Sequence, residues 1–164
     1  MQKKIKKFLL LFKKKFIFTT PEKKKIVVFD CQGNNYLHDL FIEHDYFLLS
    51  TRFDEIKLIY LNLKLFKFIF FNFFKRSLKQ NYLLSLIQQI NAKVVVTMID
   101  NSYDFSIAAK YFENKISFLA IQGANRGDIK VQNSEEIKKY FLDTFFCLGE
   151  YEKKLYEKKL VRVK

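Results

Sequence analysis

A chain of 164 residues, 49% apolar and 18% aromatic, is long enough to bury one full hydrophobic core. Four Gly and one Pro argue against a turn-rich β-sandwich, and two cysteines, Cys31 and Cys147, exclude a disulfide framework. The net charge of +13 raises nucleic-acid binding, but the lysines scatter over the N-terminus, a central segment and the C-terminus, with no arginine-rich tract or zinc-finger spacing. Specific nucleic-acid binding is therefore not expected. Lys, Phe, Ile, Asn and Tyr are the residues of AT-rich codons, so the charge reads mainly as background, with attraction to an anionic membrane or a phosphorylated ligand as a secondary meaning.

Residues 1–20 read as a basic amphipathic N-terminal helix. Ile5, Phe8, Leu9, Phe12 and Phe16 share one face, with lysines over most of the remainder. The apolar core Phe8–Phe12 is shorter than the ~7–15 residues of a signal peptide, so export is not expected. Such a helix lies on an anionic membrane surface or packs on its own domain.

From residue 21 to 164 the pattern is that of a Rossmann-like domain. Pro21 and Lys23–Lys25 form a loop, and Ile26–Phe29 is a buried strand that ends in Asp30-Cys31-Gln32-Gly33-Asn34-Asn35, leading to a helix through Phe41. Tyr46–Ser50 is a second strand, followed by Thr51 and Arg52. Arg52 either forks onto a phosphate or carboxylate or forms a surface salt bridge with Asp54 or Glu55. Leu58–Phe74 is the most apolar stretch, shorter than the ~20 residues of a membrane span. It reads as one amphipathic helix whose lysines, Lys57, Lys64, Lys67 and Lys75, cluster on one face with Asn72, while its wide apolar face packs mostly on the sheet and leaves a part toward a membrane or a partner. Asn81–Ile90 continues as a further helix.

The organising unit is Ala92–Asp128. Val94–Ile99 and Ile116–Ile121 are β-branched runs joined by a helix over Tyr103–Phe112, which makes a βαβ unit. Each run ends in polar residues: Asp100-Asn101-Ser102 in one case, Gln122-Gly123-Ala124-Asn125-Arg126-Gly127-Asp128 in the other. Open α/β sheets bind ligands at the carboxyl ends of their strands. Thr144–Leu148 reads as a fifth strand, ending in Gly149-Glu150-Tyr151 before a lysine-rich helix. The expected fold is a three-layer α/β/α domain of about five parallel strands in the order 2-1-3-4-5.

No GxSxG elbow, dinucleotide fingerprint, Walker-type motif or metal-ligand spacing is present, and no cofactor is expected in the chain itself. Asp30, Asp100 and Glu150 each follow a strand. Together with Gln122, Asn125 and Arg126 they would suit a polyhydroxylated ligand, because these side chains offer planar donors and acceptors to vicinal hydroxyls.

The succession VVVTMIDNS, FLAIQGANRGD and FFCLGEYEKKLYEK resembles bacterial surface-carbohydrate biosynthesis proteins of glycosyltransferase-B-like architecture, and IVVFDCQGNN and LLSTR fit the same pattern. Two departures are the Gln-Gly-Ala-Asn-Arg turn and Leu148-Gly149-Glu150 in place of a commoner Phe-Gly. The resemblance covers most of Lys24–Leu160. It implies the N-terminal, acceptor-side half of a two-domain cytoplasmic transferase of surface polysaccharide synthesis, peripheral on the inner membrane. The donor nucleotide sugar would sit mainly in the missing C-terminal domain, without which the isolated chain is expected to be inactive. The acceptor would be a glycan or lipid-linked sugar. Asp100, Asn101, Gln122, Gly123, Asn125 and Arg126 would face the interdomain cleft. Asp100 would orient or deprotonate the acceptor hydroxyl, and Arg126 and Arg52 would offset phosphate charge. The alternative is a non-catalytic Rossmann-like binding module for a nucleotide or partner protein.

Overall fold

The computed structural model of the protein describes residues 14–30, 37, 39, 41, 44–52, 54–99, 102–123, 141–150 and 153–154. Its centre is a five-stranded, all-parallel sheet. With β1 (Lys15–Ile17) and β4 (Leu58–Tyr60) set apart, the sheet strands are β2 (Ile26–Phe29), β3 (Tyr46–Leu49), β5 (Val94–Thr97), β6 (Ser117–Ile121) and β7 (Thr144–Phe146). They lie in the spatial order β3-β2-β5-β6-β7. Counted along the chain, that is the expected 2-1-3-4-5.

The sequence dictates this arrangement through burial on both faces. Val27, Val28, Phe29, Val95 and Val96 are all inaccessible or nearly so, as continuous β-branched runs require when helices cover a parallel sheet on each side. One face packs against α1 (Leu63–Asn72), α2 (Leu78–Ile90) and α3 (Tyr103–Tyr111), through Leu65, Leu83, Ile87, Phe105 and Ala109 among others. Phe105 anchors this layer, edge-on to Phe29 at 5.5 Å and to Phe118 at 5.3 Å. The other face, Val28 and Val96 with Ile26, Met98 and Leu119, is covered by Leu37 and Phe41. Right-handed crossovers account for this split. The chain moves one way from β2 to β3 and the opposite way from β3 to β5 to β6, so the connecting helices fall on opposite faces.

Local signals set the helix ends. Ser77 and Gln80 form a reciprocal capping box at the start of α2, and Asn91 closes it in the left-handed conformation. Ser102 starts α3 by accepting the Phe105 N–H on its hydroxyl oxygen.

Two expectations are corrected. Lys15–Ile17, whose Phe16 was placed on the N-terminal helix, is a strand pairing in parallel with Leu58–Tyr60. The rest of that expected helix lies outside the described residues. The expected single helix Leu58–Phe74 is accordingly a strand followed by α1. Asn62 divides them: its Oδ1 accepts the Leu65 N–H as helix cap, while its Nδ2 donates to the Thr19 carbonyl beyond β1. This two-stranded sheet docks on α2 where the Tyr60 N–H donates to the Tyr82 hydroxyl oxygen at 3.0 Å. Of the helix expected after Tyr151, Lys153 and Lys154 are helical and the remainder lies outside the described residues.

Candidate functional site

The topological switch lies between β2 and β5. The chain leaves β2 for β3 on one side and later returns to β5 on the other, the arrangement at which open α/β sheets take ligands in a crevice outside the carboxyl ends of the strands. The last paired residues here are Val28 and Val96; two residues further along stand Asp30 and Met98.

Asp30 is the best-defined residue of this rim. Its N–H donates to the Leu49 carbonyl at 2.8 Å, which extends the β2–β3 ladder by one bond. Its φ of +75° then turns the chain off the sheet, a left-handed conformation that Asp tolerates better than most non-glycine residues. The carboxylate is only 5% exposed and is held by two neighbours from the end of β3. Thr51 Oγ1 donates to Oδ2 at 2.7 Å, and Arg52 Nε stands 3.8 Å from Oδ1. Phe29 registers with Leu49, so the residues just beyond the two strands are brought side by side.

Arg52 reaches a second carboxylate, with Nη1 at 3.9 Å from Glu55 Oε1. The salt-bridge reading of Arg52 is therefore the geometry present. A phosphate approaching this guanidinium would compete with two carboxylates, whereas a neutral hydroxyl would not.

At β5 and β6 the crevice floor is tight. Thr97 Oγ1 accepts the Ile99 N–H, and the Ile99 carbonyl accepts the Ser102 N–H at the start of α3. A Cβ on Gly123 would stand 3.3 Å from the Met98 carbonyl oxygen, so glycine permits the close approach of the two strand ends.

Gln122 holds the fold together at this point. Its N–H donates to the Phe146 carbonyl, and its side-chain Oε1 accepts the Leu148 N–H at 3.1 Å, so both latch β7 onto β6. At 3% exposed, it supports the rim from below. Glu150 is exposed and pairs with Lys153 at 3.8 Å. Strands β2 and β7 are three spacings apart, about 14 Å, so Asp30 and Glu150 line opposite ends of one rim and do not converge on a single atom. Asp100, Asn101, Asn125 and Arg126 lie outside the described residues.

Glu55 is one of the two salt-bridge partners the sequence offers Arg52, a local contact three residues on. The role of Thr51, by contrast, depends on the β2–β3 register, which no residue pattern states. A separate apolar cavity of 660 Å³ lies between β3, β4 and α2, with Phe47, Leu49, Leu58, Tyr82 and Leu86 among its walls and Glu55 at its edge. It has too few polar groups for a polyhydroxylated ligand. Among the described residues, no cluster of three or more His, Cys, Asp or Glu could hold a metal, and no helix is long and apolar enough to cross a membrane. Comparison with protein-family models, with curated proteins and with solved structures gives no match, and the functional reading rests on the crevice itself.

Proposed function

We propose that this chain is the acceptor-side domain of a glycosyltransferase-like protein in bacterial surface polysaccharide biosynthesis, acting at the cytoplasmic face of the inner membrane. The observation that carries the reading is the Asp30 carboxylate, nearly buried on a left-handed turn at the switch point and oriented by Thr51 and Arg52. A fixed carboxylate of this kind accepts a hydrogen bond from a sugar hydroxyl without having to reorganise. In the transfer, the acceptor hydroxyl oxygen would attack the anomeric carbon of the donor sugar. The bond to the nucleotide diphosphate would break, and the hydroxyl proton would pass to a carboxylate within hydrogen-bond reach. Asp100 remains the candidate for that base from its position after β5, with Asn101, Asn125 and Arg126 as further acceptor contacts. The donor nucleotide sugar belongs to a second domain.

The second reading is a non-catalytic binding module using the same rim. It is favoured by the engagement of Gln122 with Leu148 and of Arg52 with two carboxylates, which ties two rim side chains to the fold. A thermal-shift series separates the readings. Short glycans should raise the Tm of the wild-type chain but not of Asp30→Asn, while Asp100→Ala and Arg126→Ala weaken the shift. Stabilisation by nucleotide sugars alone would mean that the chain is a nucleotide-binding module. No response to either ligand class would remove the carbohydrate reading.

A further inference from the structure

Helix α1 turns its aromatic residues the wrong way for a packed helix. Leu65 is buried, and Phe68, Ile69 and Asn72 are half-buried toward α2 and the core. At 100° per residue the opposite face carries Leu63, Phe70 and Phe74 around Lys67, flanked by Phe66 and Phe73 on one side and by Lys64 and Phe71 on the other. Phe70 is 78% exposed and Phe74 98% exposed. Lys64 and Lys67 face outward as expected, but five phenylalanines share that exposed face with them instead of turning inward. Helix α1 packs chiefly on α2, through the side that carries Leu65, Phe68 and Ile69.

This ridge is held rigidly. Asn62 caps its start, and the fully buried Asn81 donates through Nδ2 to the carbonyls of Asn72 and Arg76 at its end. Phe70 and Phe71 meet edge-on at 5.8 Å, as do Phe73 and Phe74 at 5.3 Å. A fixed, strongly apolar patch in water, with a shallow hollow among Phe66, Phe70, Phe71 and Phe73, marks a docking surface.

Charge identifies the occupant. From Ile56 to Ile99 the sequence contains no Asp or Glu, while Lys57, Lys64, Lys67, Lys75, Arg76, Lys79 and Lys93 fall within it. Arg76 lies over the Tyr111 ring and Lys79 pairs with Asp104, but Lys64, Lys67 and Lys75 make no ion pair among the described residues. Phenylalanines along a helix lying flat, with flexible lysines between them, match the boundary of an anionic bilayer. There the rings sit among the acyl chains and the ammonium groups reach lipid phosphates. We infer that the outer ridge of α1, Leu63 to Phe74, docks this domain onto an anionic lipid surface. That surface would carry the membrane association of the proposed function, and it stands whether or not the crevice binds a sugar.

The test is flotation of the full chain with vesicles of phosphatidylcholine alone or mixed with phosphatidylglycerol. Circular dichroism and urea unfolding would verify that each variant is folded. Wild type should float with the anionic vesicles and weakly with the neutral ones. Phe70→Ser with Phe74→Ser should lower apparent affinity at least about tenfold, since each removes a large apolar side chain from the contact. Lys64→Gln, Lys67→Gln and Lys75→Gln together should abolish the preference for anionic lipid. Failure of the wild type to float would overturn the inference. So would a Phe70→Ser, Phe74→Ser variant that floats as well as wild type, which would place binding elsewhere on the chain. A wild-type dimer that this variant turns into a monomer, with neither form floating, would give the ridge to a second copy of the chain.

Discussion

Asp30 and Thr51, 21 residues apart in sequence, are joined by a 2.7 Å hydrogen bond that ties the carboxyl ends of β2 and β3 together at the mouth of the crevice. The bond aims the carboxylate, and the left-handed backbone at Asp30 sets which residues the position accepts. Asp30→Asn preserves an acceptor for Thr51 and tolerates the backbone. It gives up a long ion pair with half-exposed Arg52, which should cost less than about 1 kcal/mol. Asp30→Ala loses the acceptor for Thr51 and puts a residue less tolerant of the left-handed region on the same backbone, for about 1–3 kcal/mol. Urea unfolding of the two variants measures the difference.

Gln122 separates support from contact. Gln122→Ala leaves the Leu148 N–H without its acceptor and should destabilise the domain by about 1–3 kcal/mol. Any loss of ligand binding in Gln122→Ala should then follow its loss of stability and recover on cooling to where the variant is fully folded. Binding lost in a fully folded Gln122→Ala would instead give this side chain a direct contact.

Asn81 should matter more than its place in mid-helix implies. Its amide donates to two carbonyls at the α1–α2 turn from a site with no solvent access. Asn81→Ala should cost about 1–3 kcal/mol and raise hydrogen exchange in the last turn of α1 ahead of the sheet. Uniform exchange across the domain would contradict a local latch.

Alkaline pH should unfold the domain through the tyrosines between α2 and β4. Burial raises the Tyr82 hydroxyl above its ordinary value of 10.0, and burial, followed by the Glu22 charge, raises Tyr60 in the same direction. The folded chain then keeps protons that the unfolded chain begins to release near pH 10. Stability is fully present below that pH and is lost as pH rises through the folded values. Tyr82→Phe should be less stable at pH 8 by about 1 kcal/mol, having lost the acceptor for the Tyr60 N–H, yet should show a shallower fall above pH 10. Unfolding curves at several pH values check both.

The sheet was legible because its strands are short runs of Val, Ile and Phe between polar turns, and runs without alternation mean burial on both faces. Alternating runs and helices then leave few topologies, and handedness selects among them. What escaped was anything set by pairing between distant segments. Lys15–Ile17 carries lysine and phenylalanine at spacing that also fits a helix; it is a strand because Leu58–Tyr60 offers it an edge. Likewise, helical periodicity in α1 identified an amphipathic segment but could not say which apolar side faced the core. At the site, the sequence singled out Asp30 and Arg52 and offered Glu55, three residues on, as a partner for Arg52, while the union of Asp30 with Thr51 and Arg52 required the register of β2 on β3.

The crevice reading is tested most directly by saturation-transfer NMR of the purified full chain with short glycans and, separately, nucleotide sugars, comparing wild type with folded Asp30→Asn. Transfer to glycan ring protons that disappears in Asp30→Asn, with no response from the nucleotide, is the predicted result. Glycan transfer of equal strength in both proteins, or none in either, would contradict it.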